Sequence, residues 1–121
     1  MEFQNGKSIF LQIADRITDK VISGEYQAGN KIPSVRELAS EVGVNPNTIM
    51  RTYSELQSMN IIENKRGIGY FVNSQAKEVI LKSKREEFFY KVLPDFLRQA
   101  AILGITTKEL QTHIDKTENQ G

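Results

Sequence analysis

Residues 45–51 read Asn-Pro-Asn-Thr-Ile-Met-Arg, small polar side chains set around a proline and followed by an arginine. Asparagine and arginine can each make paired hydrogen bonds to a purine edge, and threonine can bond a phosphate oxygen. Further basic side chains stand on either side, Arg36 upstream and Lys65 and Arg66 downstream. This is the chemistry of recognition rather than of bond making. The chain has no cysteine and one histidine, His113, so it lacks thiolate nucleophiles, disulfides, thiolate zinc sites and a companion ligand for that histidine. An enzyme would be left with carboxylates alone, and these fall at solvent-like spacing on predicted helix surfaces. No cofactor and no metal is expected.

Hydrophobic spacing predicts the elements that must hold these side chains. Over residues 8–23, Phe10, Ile13, Ala14, Ile17 and Val21 recur at helical intervals, with Ser8 as N-cap and Gly24 as stop. Two glycines and a proline in residues 24–33 break the period and predict a loop. A short second helix starts at Ser34, which forms a capping box with Glu37; Val35, Leu38, Ala39 and Val42 make its apolar face and Gly43 ends it. Only Gly43, Val44 and Asn45 separate it from a third helix, expected over about 45–59. There Asn45 is the N-cap and Pro46 takes the first helical position, where a missing N–H is no loss. Ile49, Tyr53 and Leu56 face inward, and Asn60 is left-handed at the end. Ile61 and Ile62, then Tyr70, Phe71 and Val72, flank a polar turn and predict a two-stranded hairpin with Lys65 and Arg66 at its tip.

From residue 75 to residue 103 the only turn signal is Pro94, which is expected to kink or split a long helix. Gly104 closes it, Thr106 and Glu109 form a second capping box, and a last short helix is expected to about Lys116 before a frayed tail. The expected fold is therefore mainly α with a small β hairpin. A winged helix-turn-helix DNA-binding domain covers residues 1–74, and a short two-helix C-terminal region covers 75–121. Two helices joined by a tight glycine-containing turn are the helix-turn-helix signature, and the hairpin after them is a wing. The exposed start of the third helix then offers Asn47 and Thr48, its outer face Met50, Arg51 and Ser54, and its N-terminus a place for a phosphate.

Charge totals argue weakly against this. There are 16 Lys and Arg against 15 Asp and Glu, a net charge of +1, and residues 1–74 hold eight of each sign. Any basic surface must come from placement. Each candidate also has a plain structural alternative: Arg36 and Arg51 as solvated helix residues, Asn45 as a cap and nothing more, Lys65 and Arg66 as edge protection. No run of eighteen apolar residues exists and the N-terminal stretch lacks the pattern of a secretory signal, so no membrane partner is expected and a cytoplasmic protein is.

Residues 10–72 carry a denser pattern. They begin "FLQIADRI" at Phe10 and continue with Gly24-x-Tyr26-x-x-Gly29-x-Lys31-Ile32-Pro33-Ser34-x-Arg36-Glu37-Leu38-Ala39, then "GVNPNT" over 43–48, then "GIGYFV" over 67–72. This resembles the winged-helix domain of the GntR family of bacterial transcription regulators, and the short helical C-terminal part is similar to the YtrA-type subgroup. The resemblance implies a sequence-specific DNA-binding regulator, a repressor, with the third helix in the major groove. It implies DNA contact by Arg36, Asn47 and Thr48, and entry of Gly67 into the minor groove with Lys65 and Arg66 beside it. One departure matters: many family members place an arginine two residues after the threonine, where this chain has Met50 and carries its arginine at Arg51.

The C-terminal apolar residues need a partner of their own. Phe88, Phe89, Val92, Leu93, Phe96, Leu97 and Ala100 are too many for one kinked helix and a short companion to bury. They could pack on the winged-helix domain or pair with a second copy of the chain; the second is expected, since a symmetric dimer sets two recognition helices roughly 34–36 Å apart on a near-palindromic operator. The alternative function is a winged helix used for protein–protein contact. No effector is named by these residues, and the C-terminal stretch is too short to enclose a drug-sized pocket of roughly 300 Å³ or more.

Overall fold

Ile13, Ala14, Ile17 and Val21 form the buried stripe of the first helix, as their spacing requires. The structure, a computed structural model, describes residues 8–120. Helix α1 spans Ile9–Ser23 and ends at Gly24 in the left-handed region. Ser8 occupies the N-cap position, but its hydroxyl makes no capping bond. Helix α2 spans Val35–Val42 behind a complete capping box. The Ser34 hydroxyl accepts the Glu37 N–H at 3.1 Å, and the Glu37 carboxylate accepts the Ser34 N–H at 3.3 Å. Hydrogen bonding to the carboxylate itself, by the Ser34 side chain first and then by the Ser34 N–H, holds the Glu37 carboxyl below its ordinary value.

Gly43, at φ 72, makes the tight turn between α2 and α3, a backbone conformation that favours glycine. Helix α3 spans Pro46–Ser58 and buries Ile49, Thr52, Tyr53 and Leu56. Asn60, at φ 62, ends it, and the Ile61 N–H returns to the Leu56 carbonyl at 3.0 Å, which turns the chain into the hairpin. Strands β1 (Ile62–Lys65) and β2 (Gly69–Val72) pair antiparallel with Lys65 opposite Gly69 and Ile62 opposite Val72. The loop before α2 lines the other edge of β2. The Ile32 N–H donates to the Tyr70 carbonyl at 2.9 Å, and the Val72 N–H donates to the Asn30 carbonyl at 2.9 Å. The hairpin is thus held on both sides of β2, which the sequence reading did not foresee.

The chain divides into two compact units after Ser83. Helix α4 spans Ala76–Glu87, and its Ala76 and Ile80 are buried in the core of the first unit. That is why this unit runs past residue 74, the boundary expected from composition. In the second unit a π-helical segment, Phe88–Val92, leads into α5 (Leu93–Ile102). The Leu93 N–H reaches back to the Phe88 carbonyl. Pro94 has no N–H to give and its ring crowds the preceding turn, so the helix widens ahead of it and continues. Helix α6 spans Thr107–Gln120 behind the expected Thr106–Glu109 capping box, with bonds of 3.1 and 3.2 Å. It continues past Lys116 where a frayed tail was expected: the Thr117 hydroxyl donates to the His113 carbonyl at 2.9 Å, and residues 117–120 are helical. Gly121 lies outside the described residues. No helix among the described residues is long and apolar enough to cross a membrane.

Candidate nucleic-acid interface

Helix α3 is fixed from beneath by hydrogen bonds as well as by packing. Tyr53, fully buried, donates its hydroxyl to the Pro33 carbonyl at 2.6 Å and sets its ring edge-on to Tyr70 with centroids 4.7 Å apart. It therefore ties α3 both to the segment leading into α2 and to β2. Burial pushes its phenol well above the ordinary value. Thr52, also fully buried, shares its hydroxyl proton between the Thr48 carbonyl at 2.9 Å and the Phe10 carbonyl at 3.1 Å, which ties α3 to α1. With these residues inside, Asn47, Met50, Arg51 and Ser54 are exposed along the opposite side at the i, i+3, i+4, i+7 intervals of one helix stripe.

The start of α3 behaves differently from the expectation that its N-terminus itself would hold a phosphate. Pro46 has no N–H. The Asn47 N–H is taken by the Asn45 side-chain oxygen at 2.8 Å, and the Thr48 N–H donates to the Asn45 carbonyl at 2.9 Å. No donor of the first three positions is left over, so any anion here must be met by side chains, with Thr48 half-buried at the edge. Asn45 has its side-chain oxygen committed as the cap. Its amide N–H groups remain the part of it that could reach outward.

Arg51 holds its guanidinium carbon 4.0 Å from the centroid of the Phe10 ring. A cation–π contact consumes no N–H donor, so the fork keeps its donors for other partners. Arg36 is exposed in the first turn of α2. At the wing, Arg66, Gly67 and Ile68 form the turn, and Lys65 closes β1. Lys65 is engaged within the hairpin, 3.8 Å from the Glu63 carboxylate and 4.5 Å over the Phe71 ring. Arg66 and Gly67 are therefore the more outward members of the expected wing set.

Two residues that the sequence reading passed over join this surface. Phe10 was read as part of the apolar face of α1, yet it is only half-buried and carries Arg51. Lys31 crosses Gly69 so closely that a Cβ there would meet its Cε at 2.8 Å, and its charge helps lower the pKa of Glu37 in α2. It lies between the base of the wing and the start of α2. Neither could have been found from sequence, since each depends on a neighbour distant along the chain.

In the second unit Phe88, Phe89, Val92, Phe96 and Leu97 are each close to half exposed, and Leu93 is less so. Ala100 is buried, so of the expected interface set it alone offers little surface. Tyr90, Ile102, Leu103 and Ile114 add to the exposed apolar residues. His113 is exposed, and among the described residues no group of three or more His, Asp or Glu could hold a metal ion.

The pattern of known proteins agrees with this geometry. Residues 10–72 match the family described as bacterial regulatory proteins, gntR family. The chain is 42% identical over 120 residues to the uncharacterized HTH-type transcriptional regulator YhcF of Bacillus subtilis, covering 99% of this chain and 97% of that one. It is 38% identical over 76 residues to the HTH-type transcriptional repressor YtrA of the same organism, covering 63% of this chain and 58% of YtrA. A crystal structure of a GntR-family chain from Bacteroides thetaiotaomicron superposes with a TM-score of 0.79 at 44% identity, covering 94% of this chain and all of that one. A buried tyrosine and threonine that hold an exposed polar helix beside a hairpin are thus the working parts of a DNA-binding transcriptional regulator rather than of an enzyme, and the chain belongs to the gntR family of bacterial regulatory proteins.

Proposed function

We propose that this protein is a repressor that binds a near-palindromic operator as a homodimer, with α3 in the major groove and the hairpin wing in the adjacent minor groove. The observation that carries this reading is the exposed stripe of α3, Asn47 to Ser54, on a helix whose buried side packs in the same core cluster as the hairpin that follows it. Direct readout falls to Asn47 and the Arg51 fork. Backbone positioning falls to Thr48, Arg36, Arg66 and Lys31, and Gly67 lets the turn approach the groove closely. The homodimer forms through the half-exposed apolar residues of α5 and the π segment, Phe96 at their centre. Repression is supported by the similarity to YtrA, a transcriptional repressor.

Titration of the purified protein against duplex DNA from upstream of its own gene, with scrambled duplex as control, tests the reading. Preference of about a thousandfold or more for one sequence, weakening steeply with added salt, is the expected result. If that duplex is not preferred, selection from random duplexes locates the operator elsewhere in the genome. Failure of that selection to enrich any sequence, with no binding at low salt, rejects the reading.

A further inference from the structure

On the stripe of α3 that faces away from the core, one side chain has the wrong chemistry for hydrogen-bond readout. Met50 is 54% exposed, between Asn47 and Arg51 in the helical register. Exposed methionines are ordinary on protein surfaces, and Met59 and Ile68 are exposed elsewhere in the first unit. Those two lie at the end of α3 and in the wing turn, off the stripe. Of these three, Met50 is the one that the proposed docking draws into the major groove, where it loses its water.

An apolar group that is desolvated against a base edge gains nothing from N7, O6 or O4. The one apolar group that the major groove offers is the 5-methyl of thymine. Methionine is suited to finding it, with an unbranched, polarizable chain and three rotatable bonds. We infer that Met50 is a specificity-determining residue that reads the 5-methyl group of one thymine in each half-site, so that the operator carries an A·T pair under the middle of α3. The inference rests on the DNA-binding reading and deepens it. It states which base type the helix selects beside the polar contacts of Asn47 and Arg51.

The experiment replaces each thymine of the selected operator, symmetrically in both half-sites, by deoxyuridine, which differs only in the methyl. Affinities are compared for the unaltered protein, Met50→Ala and Met50→Leu. Met50 belongs to no buried cluster, so both variants keep the core, and thermal unfolding checks this. At one thymine position the unaltered protein is expected to lose about fourfold per methyl removed. Met50→Leu keeps that penalty, and Met50→Ala binds the thymine and deoxyuridine duplexes equally. A Met50→Ala protein with the same penalty at the same position would overturn the inference. So would an operator in which no thymine methyl matters, or one with no thymine in the half-site. These outcomes leave DNA recognition standing. A protein that selects no sequence at all defeats both.

Discussion

Tyr53 shows how one buried residue sets the geometry of an exposed surface. Its hydroxyl anchors α3 to the Pro33 carbonyl and its ring meets Tyr70 of β2, so α3 and the hairpin share one fixed point. Removing the hydroxyl as Tyr53→Phe leaves that carbonyl unpaired and should cost about 1–3 kcal/mol of stability. It should also alter the alkaline limb of the stability curve. Burial raises the phenol above its ordinary 10.0, so above about pH 10 the unfolded chain releases this proton while the folded chain keeps it. Stability is therefore full below that pH and falls as pH rises further. Thermal unfolding across pH 8–11 should show a decline in the parent that is shallower in Tyr53→Phe. Arg51 is the second case. If the Phe10 ring aims its guanidinium, then Arg51→Ala should weaken operator binding by roughly ten- to a hundredfold. Phe10→Leu should weaken it less, and the double variant should be no worse than Arg51→Ala alone. Losses that multiply in the double variant would separate the two residues.

Among the elements, α3 depends most on how it begins. Asn45 closes the first turn with its side-chain oxygen, and Pro46 presets the backbone. Asn45→Ala should lower stability by about 1 kcal/mol, read from denaturant unfolding. Asn45→Ser keeps an oxygen for the Asn47 N–H and should keep both stability and operator affinity. A serine variant that is stable but binds the operator poorly would make Asn45 a base reader as well. Caps of this kind are why so much of the fold was legible beforehand. Helix starts at Ser34, Asn45 and Thr106, stops at Gly24, Gly43 and Asn60, and the hairpin between Ile62 and Val72 are all local signals, and all are observed. What was not legible depends on partners far along the chain: the edge that residues 30–32 lend to β2, Lys31 lying across Gly69, and Arg51 over Phe10. The reach of α6 was underestimated for another reason. Its last residues were expected to fray as chain termini do, but Gln111 donates to Asp115 at 2.9 Å, a helix-supporting pair four residues apart.

At the scale of the whole molecule, charge and apolar surface pose one problem together. A net charge of +1 supplies no general attraction to DNA, so on the proposed reading one copy relies on a few placed cations, among them Arg36, Arg51 and Arg66. The same chain exposes phenylalanines at about half their surface in its second unit, an arrangement that water penalises in a monomer. The proposed homodimer would answer both, burying the apolar residues and doubling the phosphate contacts on one operator. Phe96→Asp places a charge at the centre of that surface, within the second unit. The variant should run as a monomer in light scattering at concentrations where the parent is a dimer, with its helical circular dichroism retained. Its operator affinity should fall by at least about a hundredfold, toward that for a single half-site. The slope of log affinity against log salt should fall to about half the parent's, because half the phosphates are met. A variant that stays dimeric would move the interface off this face. A variant that becomes monomeric yet keeps full affinity and full salt slope would mean that one copy of the helix and wing suffices, and the near-palindrome would lose its structural reason.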